Sequence, residues 1–206
     1  MSTEGLKSII GRLGLWATAL MLAVSVNAQA ADPYQVVENV TDELVAAAKA
    51  KNDGGDKASY DAEVLAALDP VVAFDYIARV VMGDYYKSAS AELRKEFAEK
   101  FKTGLVASYA KGIATYADSD IQVLKPDEPV GEQRRVTVKQ QVKHQGSVHK
   151  LSYTMGKSKS GEWKLINVVL NGANLGSSFA SQFEQLANKY DGDVAKVVAN
   201  WDASEA

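Results

Sequence analysis

The hydrophobic period of this chain changes twice, and that change limits the possible folds more than any single residue does. From Asp32 to Tyr116 apolar residues recur three or four apart, between Asp120 and Asn171 they alternate, and from Phe179 onward the helical spacing returns. Val136, Val138 and Val142 alternate with Thr137, Lys139, Gln141 and Lys143, and Leu151, Tyr153 and Met155 alternate with Lys150, Ser152 and Thr154. Gln145-Gly146-Ser147 and Ser158-Lys159-Ser160-Gly161 separate these runs as turns, so consecutive hairpins build an antiparallel meander. Trp163 to Leu170 is a third long strand, and its stretch from Leu165 is apolar on both faces, as in a strand covered on both sides. Ile121 to Leu124 is a candidate fourth, and Asn171-Gly172 is expected to end the sheet. Helices, then strands, then helices, with no repeat or linker, predict one α+β domain.

The flanking helices carry their own punctuation. Asp32-Pro33 opens a first helix through Val37, Val40, Leu44 and Ala48, and Asn52 to Asp56 closes it. A second runs from about Ser59 to Leu68, and Asp69-Pro70 is expected to start a third, with Phe74, Ile77, Ala78, Val81 and Met82 in one stripe. Gly83 is the expected left-handed stop. Ser90 caps a long helix in which Leu93, Phe97, Phe101, Leu105, Tyr109 and Ile113 recur every four residues. Lys95, Glu96, Glu99, Lys100 and Lys102 read as its solvated face. Phe179, Phe183, Leu186 and Tyr190 mark a further helix, and Val194, Val197, Val198 and Trp201 a last one.

Residues 1–30 read as a cleaved signal peptide rather than as part of the fold. Lys7 and Arg12 precede an apolar run from Leu13 to Val26, and Ala28-Gln29-Ala30 offers the small residues a signal peptidase accepts. The run is shorter than the roughly 18 to 20 apolar residues of a membrane span. Residues 31–206 are then the exported domain. Setting Lys7, Arg12 and Glu4 aside from the 23 basic and 26 acidic residues leaves a net charge of about −4, which argues against nucleic acid and against long residence on an anionic membrane. The chain has no cysteine, which excludes disulfides and thiol chemistry, and its two histidines, His144 and His149, are too few for a zinc centre.

The search for catalytic groups is mostly negative. Gly172 to Gly176 lacks the Lys-Ser/Thr of a phosphate loop and reads as a strand-to-helix turn. His149 shares the parity of Leu151 and Tyr153, and an acid–base role would need a carboxylate such as Asp75 beside it. Asp75 has a simpler explanation in an ion pair with Arg79 one turn on. What remains is apolar surface on helices flanking a sheet. Periodicity does not separate a filled interior from a lined cavity, so both readings stay open.

The ordered set Phe74-Asp75-Tyr76-Ile77-Ala78-Arg79, Val81-Met82-Gly83, Phe97, Phe101, Leu105, Tyr109-Ala110, Tyr153, Trp163-Lys164, Asn171-Gly172, Leu175 and Ser181-Gln182-Phe183 resembles the MlaC family. This is the toluene-tolerance family of periplasmic phospholipid-binding proteins. The chain departs from the family pattern at Asn167, where an Asp is usual, and at Phe179-Ala180, where Tyr-Arg is common. The arginine's role is therefore not carried over.

The resemblance implies a twisted antiparallel sheet of about four strands wrapped by helices, similar to NTF2-like and cystatin-like folds, with a lipid cavity between sheet and helices. It implies a carrier with no catalytic residue, metal or cofactor, whose cargo is a diacyl phospholipid. The implied partners are an MlaA-like outer-membrane lipoprotein complex and an MlaD-like MCE ring of an inner-membrane ABC transporter. Shuttling between them maintains outer-membrane lipid asymmetry. The inward-phase residues expected to line the cavity are Phe74, Ile77, Val81, Phe101, Leu105, Tyr109, Val138, Val142, Leu151, Tyr153, Val168, Leu170, Leu175 and Phe179. The alternatives are a periplasmic enzyme on a similar cone-shaped sheet using His149, and a chaperone for lipoproteins.

Overall fold

The computed structural model describes residues 32–126 and 130–203; the expected signal peptide lies outside them. Five helices come first: α1 (Pro33–Asn52), α2 (Lys57–Leu68), α3 (Phe74–Met82), α4 (Tyr85–Ser88) and α5 (Ala91–Thr115). The sheet strands β1 (Asp120–Leu124), β2 (Arg135–His144), β3 (Ser147–Lys157), β4 (Trp163–Leu170) and β5 (Ala173–Asn174) follow, and then α6 (Leu175–Lys189) and α7 (Val194–Ala199). No helix among the described residues is long and apolar enough to cross a membrane.

Side-chain caps fix where most of the helices begin. Asp32 accepts from the Tyr34 amide at 2.8 Å with Pro33 at the first helical position, and Ser90 accepts from the Leu93 amide at 3.2 Å. Asp56 and Asp193 cap α2 and α7. Hydrogen bonds from the amides of Ser59 and Lys196 hold their carboxyls below the ordinary carboxylate range.

Pro70 does not start α3. Residues 69–71 instead form a turn, with the Val71 and Val72 amides donating to Leu68 O at 3.0 and 2.8 Å, and Val72 then makes a single parallel bridge to the edge of β4: the Leu165 amide donates to Val71 O at 2.7 Å and the Ala73 amide donates to Leu165 O at 3.0 Å. Two β-branched valines suit that edge, and a proline, lacking an N–H, sits where none is needed. The helix begins at Phe74, with no side-chain cap. Gly83 stops it as expected, at φ 54° but ψ −130°, outside the left-handed helical region and in territory that only glycine uses readily. That bend leads into α4, a single turn that hydrophobic spacing does not reveal.

The strands pair in sequence order, each antiparallel to the next. Gln145-Gly146 has φ of 46° and 81° and closes the His144–Ser147 pair; Asn171-Gly172 has φ of 50° and 90° and closes Leu170–Ala173. Positive φ at both central residues matches the twist of the strands. Asn171-Gly172 therefore adds a fifth, two-residue strand instead of ending the sheet. A register shift at Thr154/Met155 places Ile166 outside the one-to-one pairing. The expected full cover of β4 is not seen: after a buried Trp163 its residues are half-buried on both faces.

The buried hydrophobic residues fall into two clusters, with half-buried Leu165 packed against both. Among the helices, Phe97 meets Phe183 and Trp201 edge-to-face at 5.1 Å each, and Phe101 meets Phe179 at 5.2 Å. Ala48, Val64, Ala78 and Val197 belong to the same cluster. Against the sheet, Tyr34 and Val37 of α1 pack on Val138, Met155 and Trp163. Two of the charges expected to be merely solvated hold helices together. Lys100 donates to the Val198 and Ala199 carbonyls at 2.9 and 2.6 Å, closing α7, and Lys102 bonds Asp69 at 3.1 Å.

Candidate functional site

The long helix α5 is held on one side and presents another to the sheet. Its Ala110 and Ala114 carbonyls accept from the Tyr60 hydroxyl at 2.7 Å and from Asn52 Nδ2 at 3.0 Å, which ties that side to α2 and α1. At its C-terminal end Tyr116 meets the inward face of the sheet, with ring centroids 5.0 Å from His144 and 5.2 Å from His149. Tyr109 and Leu105 lie seven and eleven residues before Tyr116. At about 100° per residue this puts all three within about 20° of one line along the helix. Leu105 and Tyr109 therefore face the way Tyr116 faces, toward the sheet. Both are half-buried, and burial pushes the Tyr109 phenol pKa up.

Opposite them the cross-strand register sets the inward residues of β3 and β4. Tyr153 pairs with Val168 and Leu151 with Leu170, so all four share one face, and all four are half-buried. Ile77 on α3 and Leu175 on α6 are half-buried too. These eight of the fourteen expected lining residues are half-buried: Ile77, Leu105, Tyr109 and Leu175 pack on the margin of the helical cluster and Tyr153 on that of the sheet cluster, and with Leu151, Val168 and Leu170 they make up an apolar seam. The other six are more deeply placed. Phe74, Val81, Phe101 and Phe179 belong to the helical cluster and Val138 to the sheet cluster, while Val142 is buried between Ile121 and His149.

A buried polar chain that the sequence reading missed runs behind the seam. The Tyr153 hydroxyl donates to Gln140 Oε1 at 2.7 Å, Gln140 Nε2 donates to Thr41 Oγ1 at 2.8 Å, and Thr41 donates to Val37 O at 2.7 Å. Gln140 is 4% exposed, and burial pushes the Tyr153 pKa far up. With every member partnered, the chain fixes α1 on the sheet and keeps the Tyr153 hydroxyl hydrogen-bonded beside apolar surface. The available signal was a glutamine on the inward parity of β2, between Val138 and Val142.

His149 points inward as expected, but its partners are not acidic. Asn171 Oδ1 accepts from the Lys150 amide at 2.9 Å, which turns Asn171 Nδ2 toward His149 Nδ1 at 3.2 Å. The Tyr116 hydroxyl lies 3.5 Å from the other ring nitrogen. Asp75 is exposed in the first turn of α3, and Arg79 lies over the Tyr76 ring at 5.3 Å, so the expected Asp75–Arg79 pair is replaced by a cation–π contact. An exposed carboxylate near a helix N-terminus needs no partner. Among the described residues no group of three or more His, Cys, Asp or Glu could hold a metal ion.

The turn into α6 has its amides occupied. Asn174 accepts from the Ser177 amide at 3.2 Å and Asn167 Oδ1 from the Gly176 amide at 3.3 Å. A Cβ at Gly176 would lie 2.6 Å from that oxygen. Gly176→Ala should therefore displace Asn167 and cost about 1 kcal/mol in urea unfolding, the net worth of one hydrogen bond; an unchanged midpoint would show that Asn167 does not cap α6.

The MlaC protein family profile matches residues 38–203. The chain belongs to the MlaC family. A toluene tolerance protein of Pseudomonas putida is 31% identical to this MlaC-family chain over 195 residues, covering 93% of it and 87% of the relative. The intermembrane phospholipid transport system binding protein MlaC of Haemophilus influenzae is 26% identical over 165 residues, 76% of this chain and 75% of its own. Among solved structures, a phospholipid-binding protein from Ralstonia solanacearum in complex with a phospholipid superposes with a TM-score of 0.73 at 25% identity, covering 82% of this chain and 94% of that one.

Proposed function

We propose that this chain is a periplasmic carrier of diacyl phospholipids, exported by a signal peptide over residues 1–30 and folded as one domain over residues 31–206. It takes lipid between an MlaA-like outer-membrane lipoprotein complex and an MlaD-like MCE ring of an inner-membrane ABC transporter, and so maintains outer-membrane lipid asymmetry. The seam carries the reading: eight half-buried apolar residues at the margins of two hydrophobic clusters and on the inward face of β3 and β4 offer a place for acyl tails with the headgroup left in water. The names of the relatives support the same cargo.

Each methylene moved from water into such a seam is worth roughly 0.8 kcal/mol, so two acyl chains gain far more than any net affinity requires. The surplus is offset by parting the layers. Recognition through tails alone accepts several headgroups. Solvent extraction of protein purified from the periplasm, followed by thin-layer separation and native mass spectrometry, should yield about one phospholipid per chain. Protein carrying no lipid under conditions that retain it would sink the proposal. Acylated peptide in its place would point to a lipoprotein chaperone.

A further inference from the structure

The outward face of the sheet carries a charge opposite in sign to the chain as a whole. Lys139 and Lys143 of β2 and Lys150 of β3 lie on it and are exposed, the carboxylate among them is Asp120, bonded to Lys143 at 3.1 Å, and Arg135 of the same parity donates to the Tyr76 hydroxyl at 3.4 Å. Lys150 stands opposite Gln141, which makes Lys139 and Lys143 its two diagonal neighbours. Diagonal neighbours in an antiparallel pair lie roughly 7–8 Å apart, within the screening length of physiological salt, so Lys150 is repelled by Lys139 and, less strongly because of Asp120, by Lys143. Neither Lys139 nor Lys150 has a carboxylate within ion-pair distance among the described residues, although the whole chain has a formal charge of −3. Thr137, Ser152 and Thr154 lie between the charges, and Val148 and Leu124 are the large apolar side chains exposed at the margin.

We infer that this face docks on an acidic protein surface at the membrane complex where cargo is exchanged. The inference rests on the carrier reading. Charge complementarity argues for the partner: a carboxylate-rich surface relieves the repulsion among the lysines and leaves the rest of this acidic chain turned away from it. The interleaved hydroxyls and amides suit the polar rim of a transient protein contact. Bilayer insertion would call for exposed aromatic or long apolar groups, and Val148 and Leu124 are poor substitutes. The face is the back of the strands whose front lines the seam, so docking there leaves the seam uncovered.

The test compares K139E/K150E with K95E/K111E, two exposed lysines of α5, so that net charge changes equally. The probes are the purified MCE-domain ring and vesicles containing on the order of one-third phosphatidylglycerol. Expected are binding of the wild type to the ring that weakens with added salt, a loss of about tenfold or more in K139E/K150E, little change in K95E/K111E, and no binding to vesicles. No measurable binding of the wild type to the ring, equal losses in both variants, no loss in K139E/K150E, or vesicle binding that the sheet variant abolishes would each overturn the inference. Extracted phospholipid should be the same in all three proteins. Its absence from all three would fail the carrier reading while leaving the docking result to stand or fall separately.

Discussion

Leu105→Arg is expected to yield a folded protein that purifies without phospholipid. Leu105 is half-buried at the margin of the helical cluster rather than sealed within it, and its helix phase turns it the way Tyr116 faces, toward the sheet. Arginine has nearly the helix propensity of leucine, so α5 itself loses little. A guanidinium is far too strongly hydrated to share a slot with hydrocarbon, and on a long side chain it reaches outward to water across the space the tails would fill. Circular dichroism and the unfolding midpoint should stay near wild type while extracted lipid drops by about tenfold or more, since excluding even two methylenes' worth of burial costs roughly that factor. A matched substitution on the outer face, Val148→Arg, should retain its lipid, because Val148 is 50% exposed there. If Leu105→Arg keeps a full complement of lipid, the seam is not where the tails lie.

Phe97→Ala should have the largest effect on stability of any single truncation in the helical half. The side chain is completely buried, with rings of Phe101, Phe183 and Trp201 at centroid distances of 5.9, 5.1 and 5.1 Å. Truncating a buried phenylalanine costs about 3–5 kcal/mol, and each lost edge-to-face pair adds up to about 1 kcal/mol within that range. Against a typical total of about 5–15 kcal/mol, such a loss lowers the melting temperature by many degrees or prevents folding at 37 °C. Equilibrium denaturation measures it directly, and a cost below about 1 kcal/mol would mean that the cluster is loosely packed. The two substitutions make opposite demands: one empties the protein without unfolding it, the other unfolds it without touching the seam.

The contrast explains what the sequence alone reveals and what it does not. Runs such as Leu93, Phe97 and Phe101, or Val136, Val138 and Val142, disclose which face of an element is apolar, and the helices and long strands follow from them. They do not disclose what stands opposite. Phe101 and Leu105 belong to one four-residue series, yet the first is sealed among aromatic rings and the second faces the seam, because successive members of the series rotate by about 40° along α5. Pro70 misleads for a related reason: its backbone suits either a helix start or a turn, and the bridge that Val72 makes to the open side of β4, far away in sequence, decides between them. Gln140 and Thr41 are legible only as a pair, and 99 residues separate them. The resemblance to a family of carriers tips the balance between core and cavity, a question that periodicity leaves open.

The division of the interior into two clusters has a mechanical consequence. Each cluster is locked by its own contacts, the helical one by interlocking rings and the sheet one by α1 and the polar chain through Gln140. Between them α1 is the bridge, tied to the sheet through Thr41 and to α5 through Asn52, and the Tyr116 ring resting on two histidines joins α5 to the sheet at one end. Spreading the layers wets apolar surface but breaks neither body, and the width can follow the girth of whatever hydrocarbon is inside. If the seam is the lipid slot proposed above, it would tolerate tails of unequal length and unsaturation and release them without unfolding either cluster.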